Sequence, residues 1–306
     1  MPLVILGLIT IFASACSGRD VDGDGGQEDG HDAGDGIENP LRIGSEQTFE
    51  IATWNIRNFP TDSMTAGRVA DLVSRMDIDM LAVEEIADVD SFNLLLDELD
   101  GYSGVLSPDV YSSGEYQKTG FIFRTEMVHI GTQESIFDGD SNAFPRPPLQ
   151  AQFEIDGPQG EKLSFIAIVL HLKADSGLEN ETRRRLACEE LKTHIDDMVA
   201  GGENTRVIVL GDFNDLLTDP VADNVFEVFL DDEQHYRFLT RQLADQGEYS
   251  YIPWRSFLDH ILVSTDMLSD YSNGVTEVVH LDQEIGNYNY VDKVSDHRPV
   301  AAIFPF

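Results

Sequence analysis

Short apolar runs bounded by turn-forming or charged residues alternate along this chain with stretches whose apolar positions recur every three to four residues. The runs at residues 49–54, 78–83, 119–123, 149–155, 163–170, 206–210, 257–263 and 298–304 predict strands. The helical period governs residues 67–76, 89–99 and 182–199, the last with Ala187, Leu191, Ile195 and Val199 four apart. The segments 119–123 and 127–130 follow each other without a helix between, which predicts adjacent antiparallel strands. The mixed order argues for sheet packed on sheet with helices outside, an α/β chain with no internal repeat.

The N-terminus has a different texture. Residues 2–12 are apolar but too few to span a bilayer, and they lead to Ala13, Ser14, Ala15 and Cys16. This predicts an export signal over residues 1–15. Ala13-Ser14-Ala15-Cys16 resembles the lipobox of bacterial lipoproteins, which implies a diacylated Cys16 anchored in a bacterial membrane; with Ser17 following, the resemblance points to the outer membrane or cell surface. The alternative is a plain secretory signal. Residues 16–47 are rich in Gly and Asp and poor in apolar side chains, so they predict a flexible tether ahead of one domain at 48–306. Residues 20–25 look like a calcium loop, but His31 stands at loop position twelve, where an acid is required. With Cys16 used or removed, Cys188 has no partner. No internal disulfide is expected, and the helical setting of Cys188 predicts a buried thiol.

Composition adds one constraint. Hydrophobic content of 42% and charged content of 25% are ordinary for a globular domain, but 20 Lys plus Arg face 56 Asp plus Glu, for a net −36. Such a field repels polyanions at long range and argues against a protein that passively coats DNA. A nuclease stays open, because a bound metal ion reverses the sign locally.

Candidate chemistry gathers where polar residues adjoin apolar strands: Trp54-Asn55, Val83-Glu84-Glu85, Leu170-His171, Gly211-Asp212-Phe213-Asn214, Leu258-Asp259 and Ser295-Asp296-His297. Strand ends are rigid yet reach solvent, so amides, carboxylates and imidazoles converging there suit a hard metal and a phosphate. Each signal alone has an ordinary structural reading.

Taken in order, Thr53-Trp54-Asn55-Ile56, Ala82-Val83-Glu84-Glu85-Ile86, His171-Leu172-Lys173, Gly211-Asp212-Phe213-Asn214, Leu258-Asp259-His260-Ile261 and Ser295-Asp296-His297-Arg298-Pro299 resemble the successive motifs of the endonuclease/exonuclease/phosphatase superfamily that includes deoxyribonuclease I. The resemblance implies a four-layer α/β-sandwich, two packed mixed β-sheets flanked by helices. It implies that Glu85, Asn55 and Asp296 hold Mg²⁺ or Mn²⁺, with Glu84 standing where the family carries Gln. It further implies that Asp212 deprotonates the attacking water, that Asn214 fixes phosphate or water, and that Asp259 orients His297. His171 matches the family's second phosphate-contacting histidine, an acid toward the leaving group. The family's phosphate-contacting Tyr has two candidates, Tyr111 and Tyr116.

Arg57, Lys173, Arg255 and Arg298 flank the motifs and read equally as an anion funnel or as partners for the many acids; Arg183, Arg184 and Arg185 open a helix with the same ambiguity. The segment 249–254 reads as strand core, or as aromatics that stack on bases or touch lipid. The function expected is a monomeric surface or secreted endonuclease on DNA or RNA, leaving 5′-phosphate and 3′-hydroxyl ends as the resemblance implies, with no protein partner. The alternatives are a sphingomyelinase-like or small phosphate-ester hydrolase and a non-catalytic binding module.

Overall fold

A computed structural model describes residues 39–110, 116–202 and 204–306; Cys16 and Tyr111 lie outside them. In chain order the strands are β1 (Thr48–Phe59), β2 (Met80–Ile86), β3 (Tyr102–Leu106), β4 (Lys118–Arg124), β5 (Val128–Ser135), β6 (Leu149–Asp156), β7 (Lys162–His171), β8 (Val207–Asp212), β9 (Tyr236–Phe238), β10 (Asp259–Ser264), β11 (Val275–Val278) and β12 (Val300–Pro305). The long helices are α1 (Thr65–Met76), α2 (Val89–Asp97) and α3 (Leu178–Ala200).

The strands form two six-stranded sheets, ordered β11-β12-β1-β2-β4-β3 and β5-β6-β7-β8-β10-β9. Each has one parallel pair at its centre, β1 with β2 and β7 with β8, and is otherwise antiparallel. Alternation along the strands decides which residues meet. Phe49 and Ile51 of β1, Ala167 and Val169 of β7, Ile208 and Leu210 of β8, and Ile261 and Val263 of β10 share the core between the sheets. The opposite parity faces helices: Ala52 and Trp54 pack with Val69 and Val73 of α1, while Ile168 and Val209 pack with Leu191 and Ile195 of α3. The result is the four-layer sandwich. Each fully buried large apolar side chain in it contributes roughly 1.5–3 kcal/mol of transfer free energy.

Three sequence expectations change. Segments 119–123 and 127–130 are not hairpin partners: β4 lies in the first sheet and β5 in the second, and residues 125–127 carry the chain across. The free edge of β4 is taken by β3, whose Ser103 and Gly104 dilute the apolar pattern that would have announced a strand. In α3 the buried stripe is Arg184, Ala187, Cys188, Leu191, Ile195 and Met198, so Val199 turns outward and Met198 takes its place. Leu41 and Ile43 are buried ahead of β1, and the Ile43 N–H donates to Met76 O at 2.9 Å, so packed chain precedes Thr48.

At the opposite end of β1 from Asn55, the Glu50 N–H donates to the Asp79 carboxylate (3.0 Å), with Arg124 Nε 3.5 Å from its other oxygen. Burial, then the neighbouring Asp79, pushes the Glu50 carboxyl up to about 8. The folded state thus keeps a proton that the unfolded chain releases at the ordinary carboxyl value. This contribution to stability is complete below that value and is lost as pH rises through about 8. Glu50→Gln, neutral at every pH, is expected to melt with wild type near pH 4.5 and above it near pH 8.5, by about 2–4 °C for each kcal/mol recovered. Melting curves that stay superimposed at both pH values would contradict the buried proton.

Candidate active site

The parity that fills the inter-sheet core continues to its rim. Asn55 continues the face of Phe49 and Ile51, His171 that of Ala167 and Val169, and Asp212 that of Ile208 and Leu210. β10 runs antiparallel to β8, so Asp259 opens its strand and pairs with Asp212, which closes β8. His297 likewise precedes β12, antiparallel to β1. The last two motifs therefore stand at strand beginnings, and antiparallel pairing brings them to the same end as the others. Glycine at position 211 permits the close approach of β8 to β7: its φ is 144°, and a Cβ there would lie 1.9 Å from Leu170 O.

Strict alternation would send Glu84 between the sheets and Glu85 toward the helices. The first holds: Glu84 is fully buried, with Oε1 accepting from Thr53 Oγ1 at 2.7 Å and Oε2 lacking a partner among the described residues. Burial and then the charges of Asp259 and Asp212 push its carboxyl well above the usual range, so Glu84 is a neutral acid. Glu85 escapes the alternation because its backbone is left-handed (φ 61°) where the β2 register shifts between Val83 and Ile86. Its side chain lines the cleft instead, with Oε2 accepting from Asn58 N at 2.8 Å. Arg57, Asn58, Asp175 and Asn214, also lining the cleft, are left-handed too. Such conformations cost energy in non-glycine residues and persist only where surrounding structure enforces them.

The cleft has a volume of about 690 Å³. Asn55 Nδ2 donates to Asp212 Oδ2 (3.0 Å) and Glu85 Oε1 (3.2 Å). His171 Nε2 lies 3.6 Å from Asp212 Oδ2 and 3.8 Å from Glu85 Oε1, and His297 Nε2 lies 3.8 Å from Asp212 Oδ2. His297 Nδ1 meets Asp259 Oδ2 at 2.7 Å. Burial pushes Asp212 up to about 7, reinforced by Asp259 and opposed by His297 and the Asn55 amide. Burial pulls His297 down, but the charge and hydrogen bond of Asp259, with Asp212 and Asp296, outweigh it and raise the imidazole to about 10. His171 goes the other way: burial, then Arg146 and His297, holds it well below the ordinary histidine value. One histidine is a cation and the other is neutral.

Supporting contacts hold this set in place. Ser250 Oγ accepts from Asp259 N at 3.1 Å, and Ser295 Oγ donates to Asn55 O at 2.5 Å while accepting from His297 N at 2.9 Å. Trp54 Nε1 (3.1 Å) and the Tyr290 hydroxyl (2.5 Å) both donate to His297 O. Tyr290 carries no sequence signal, since it sits in a polar stretch, Asn287–Lys293, without a motif. Asn214 lines the cleft, where its N–H donates to Asp212 Oδ1 (2.9 Å) and orients the carboxylate, and its Nδ2 donates to Leu172 O (3.2 Å). Tyr116 lies under Lys118 and does not line the cleft.

The basic residues divide. Arg298 is buried against Asp282 with bonds of 2.8 Å, Arg184 is buried on Asp215 at 2.7 Å, and Lys173 reaches Asp175 at 3.0 Å, so these three are partners for acids. Arg57 lines the cleft 3.6 Å from Asp296, and the paired Arg184 lines it too. Residues 249–254 are not strand core but enter a tight hairpin.

Asp212, Asp259 and His297 bring one ligand atom each within 4.8 Å of one another. His297, held as a cation by Asp259, lies 3.8 Å from Asp212, an arrangement that suits an imidazolium donor beside a carboxylate base. Glu85 and Asp296, with side chains 16% and 17% exposed, offer carboxylate oxygens to the cleft. The Asn55 Nδ2 is committed to the Glu85 and Asp212 carboxylates, while its Oδ1 accepts from Arg57 N at 2.9 Å and keeps a second lone pair. This all-oxygen donor set fits a hard divalent cation.

A model of the Endonuclease/Exonuclease/phosphatase family matches residues 52–297. Several solved structures share the fold. The catalytic domain of human Nocturnin with bound sulfate is 18% identical at a TM-score of 0.59, over 86% of this chain and 96% of that one. D. rerio TDP2 complexed with single strand DNA product is 19% identical at 0.56, over 85% and 99%. The mannosyl-6-phosphatase Bt3783 of Bacteroides thetaiotaomicron VPI-5482 is 14% identical at 0.55, over 83% and 98%. No curated protein sequence matches the chain.

Proposed function

Because the chain belongs to the endonuclease/exonuclease/phosphatase family, a family of divalent-metal-dependent phosphoesterases, we propose that it hydrolyses nucleic-acid phosphodiesters by in-line attack of water. The observation that carries this reading is Asp212, a carboxylate raised to about 7 and set between a cationic His297 and a neutral His171. A carboxylate with that affinity for protons accepts one from water near neutral pH, which an ordinary aspartate does poorly. Asn55 and the Asn214 N–H hold its two oxygens, so the lone pair is aimed before substrate arrives.

Glu85, Asn55 and Asp296 would hold a divalent cation, which would supply Lewis-acid polarisation of the phosphoryl group and offset charge on the leaving oxygen. His297 donates from Nε2 to a non-bridging oxygen, and its positive charge, secured by Asp259, stabilises the charge that develops there. His171 offers a neutral N–H at the other side. Burial makes it a hydrogen-bond donor to phosphate or leaving group more than a source of a full proton, which narrows the role the resemblance implied.

Nucleic acid as substrate is supported by the TDP2 neighbour with its DNA product and by the aromatic hairpin at the cleft. A second reading, a compact phosphate ester, is favoured by Glu181 and Asp219, which make part of the cleft hostile to a polyanion. The lipobox-like Cys16 supports attachment to a bacterial membrane, with the enzyme acting as a monomer outside the cytoplasm.

Hydrolysis of plasmid DNA, RNA, sphingomyelin vesicles and a chromogenic phosphate ester by the full chain separates these readings. EDTA is expected to abolish activity and Mg²⁺ or Mn²⁺ to restore it, with Glu85→Gln shifting the metal titration at least about tenfold to higher concentration. Lipid or monoester cleavage without nicking would overturn the nuclease assignment; full activity in EDTA would overturn the metal site.

A further inference from the structure

We propose that Trp254 is a stacking platform for a nucleobase beside the scissile phosphate, giving the enzyme a preference for single-stranded nucleic acid; this rests on the nuclease reading above. Among the described residues Trp254 is the one large hydrophobic side chain that both lines the catalytic cleft and is exposed, at 79%. Its placement is not that of a loose loop tip. Tyr251 N donates to Ser256 O (2.9 Å), Ser256 N to Tyr251 O (3.2 Å) and Arg255 N to Ile252 O (3.3 Å), closing a tight hairpin.

That hairpin is fastened to the catalytic segment. Ile252 N donates to Asp296 O (2.9 Å) and Arg298 N to Ser250 O (2.8 Å), while the Tyr251 ring lies 4.8 Å from the His297 ring. The backbone that carries Trp254 is thus registered by short links against the imidazole assigned to the phosphate. An exposed aromatic on a backbone at a fixed offset from a phosphate site is the arrangement that reads the flat face of a neighbouring base.

The surroundings select among possible occupants. An acyl chain needs a contiguous apolar patch, whereas Trp254 shares the cleft with Arg57, Ser256 and Asp296. A base has an apolar face and polar edges, which such neighbours suit. Charge supplies a direction: Glu181 and Asp219 repel flanking phosphates, while Arg57 lies 3.6 Å from Asp296, the residue to which the hairpin is bonded, and Arg255 sits on the hairpin with its guanidinium 4.7 Å from the Tyr249 ring. The strand therefore leaves the site over the hairpin. A base paired within a duplex has its faces already stacked, so an unpaired base gains most.

The test compares wild type, Trp254→Ala and Trp254→Phe in Mg²⁺ on two single-stranded oligodeoxynucleotides of equal length, one with bases and one built of abasic sugars around the scissile bond. For the base-bearing strand, Trp254→Ala is expected to raise KM about ten- to a hundredfold with kcat within a few-fold, and Trp254→Phe to recover most of it. The abasic strand should be cut equally by all three. Trp54, the other of the two tryptophans, is fully buried, so quenching of accessible indole fluorescence reports Trp254 directly. In the Asp212→Asn background the base-bearing strand should quench and the abasic one should not. Equal losses on both strands, or none on either, would overturn the platform and leave the nuclease reading standing. Failure of wild type to cut the base-bearing single strand while it cuts plasmid DNA or RNA would overturn the platform alone, and failure on every nucleic acid would overturn both.

Discussion

Replacing Asp212 by Asn is expected to lower kcat by about a thousandfold or more while leaving KM within a few-fold of wild type. The substitution is nearly isosteric, so the packing of β8 beside β7 survives and substrate phosphate still meets Arg57, His171 and His297. What disappears is the proton acceptor, and general-base catalysis of this kind is worth about 10²–10⁴ in rate. The lost charge should also relax the site: a carboxylate buried to 2% exposure and raised to about 7 is costly to keep ionised, so the variant should melt at or above the wild-type temperature at pH 8. In wild type the same group predicts a rate that climbs through pH about 7 as its proton leaves. Single-turnover rates, a melting curve and a pH profile check all three; a loss below tenfold would remove Asp212 from its role.

The second large effect belongs to His297 and is better probed through its partner. His297→Ala should cost about 10²–10³ in kcat, the usual worth of one preorganised donor to a charge-developing oxygen. Asp259→Asn is more informative. With Asp259 charged, His297 stays protonated up to about 10; without it, the burial that opposes protonation prevails and the imidazole titrates far lower. A histidine cation exists only below its own pKa, so the alkaline decline of kcat should move down by several pH units in Asp259→Asn, while activity at acidic pH suffers less. An unmoved alkaline limb would show that the cation is not what the reaction uses.

Much of this site could be read before any coordinates. Asn55, His171, Asp212 and Asp259 share strand parity with the apolar residues of the inter-sheet core, and period-two alternation carries that parity to the strand end. The two-sheet architecture was legible in the mixed order of strands and helices, and the six motifs in their resemblance to the family's. Which sheet each strand joins was not legible, because edge strands such as β3, with Gly104, and the three-residue β9 lack a sufficient apolar run. Glu84 and Glu85 were separable only by a motif, since what distinguishes them is a left-handed backbone at Glu85 that no local pattern announces. The fates of Arg184 and Arg298 depended on Asp215 and Asp282, partners 31 and 16 residues away, and sequence distance hides such pairs.

The two sheets divide the catalytic labour between them. Asn55 and Glu85 stand on one, His171, Asp212 and Asp259 on the other, and the decisive contacts, Asn55 to Asp212 and His297 to Asp259, cross the seam. A slip of one sheet past the other by a single residue, about 3.3 Å, would exceed every one of those bonds. Neither half of the chain can therefore carry a diminished version of the activity. Heat or denaturant should switch the enzyme off as one event with the parting of the sheets, and a chain cut between β5 and β6 should regain turnover only when its two pieces reassociate.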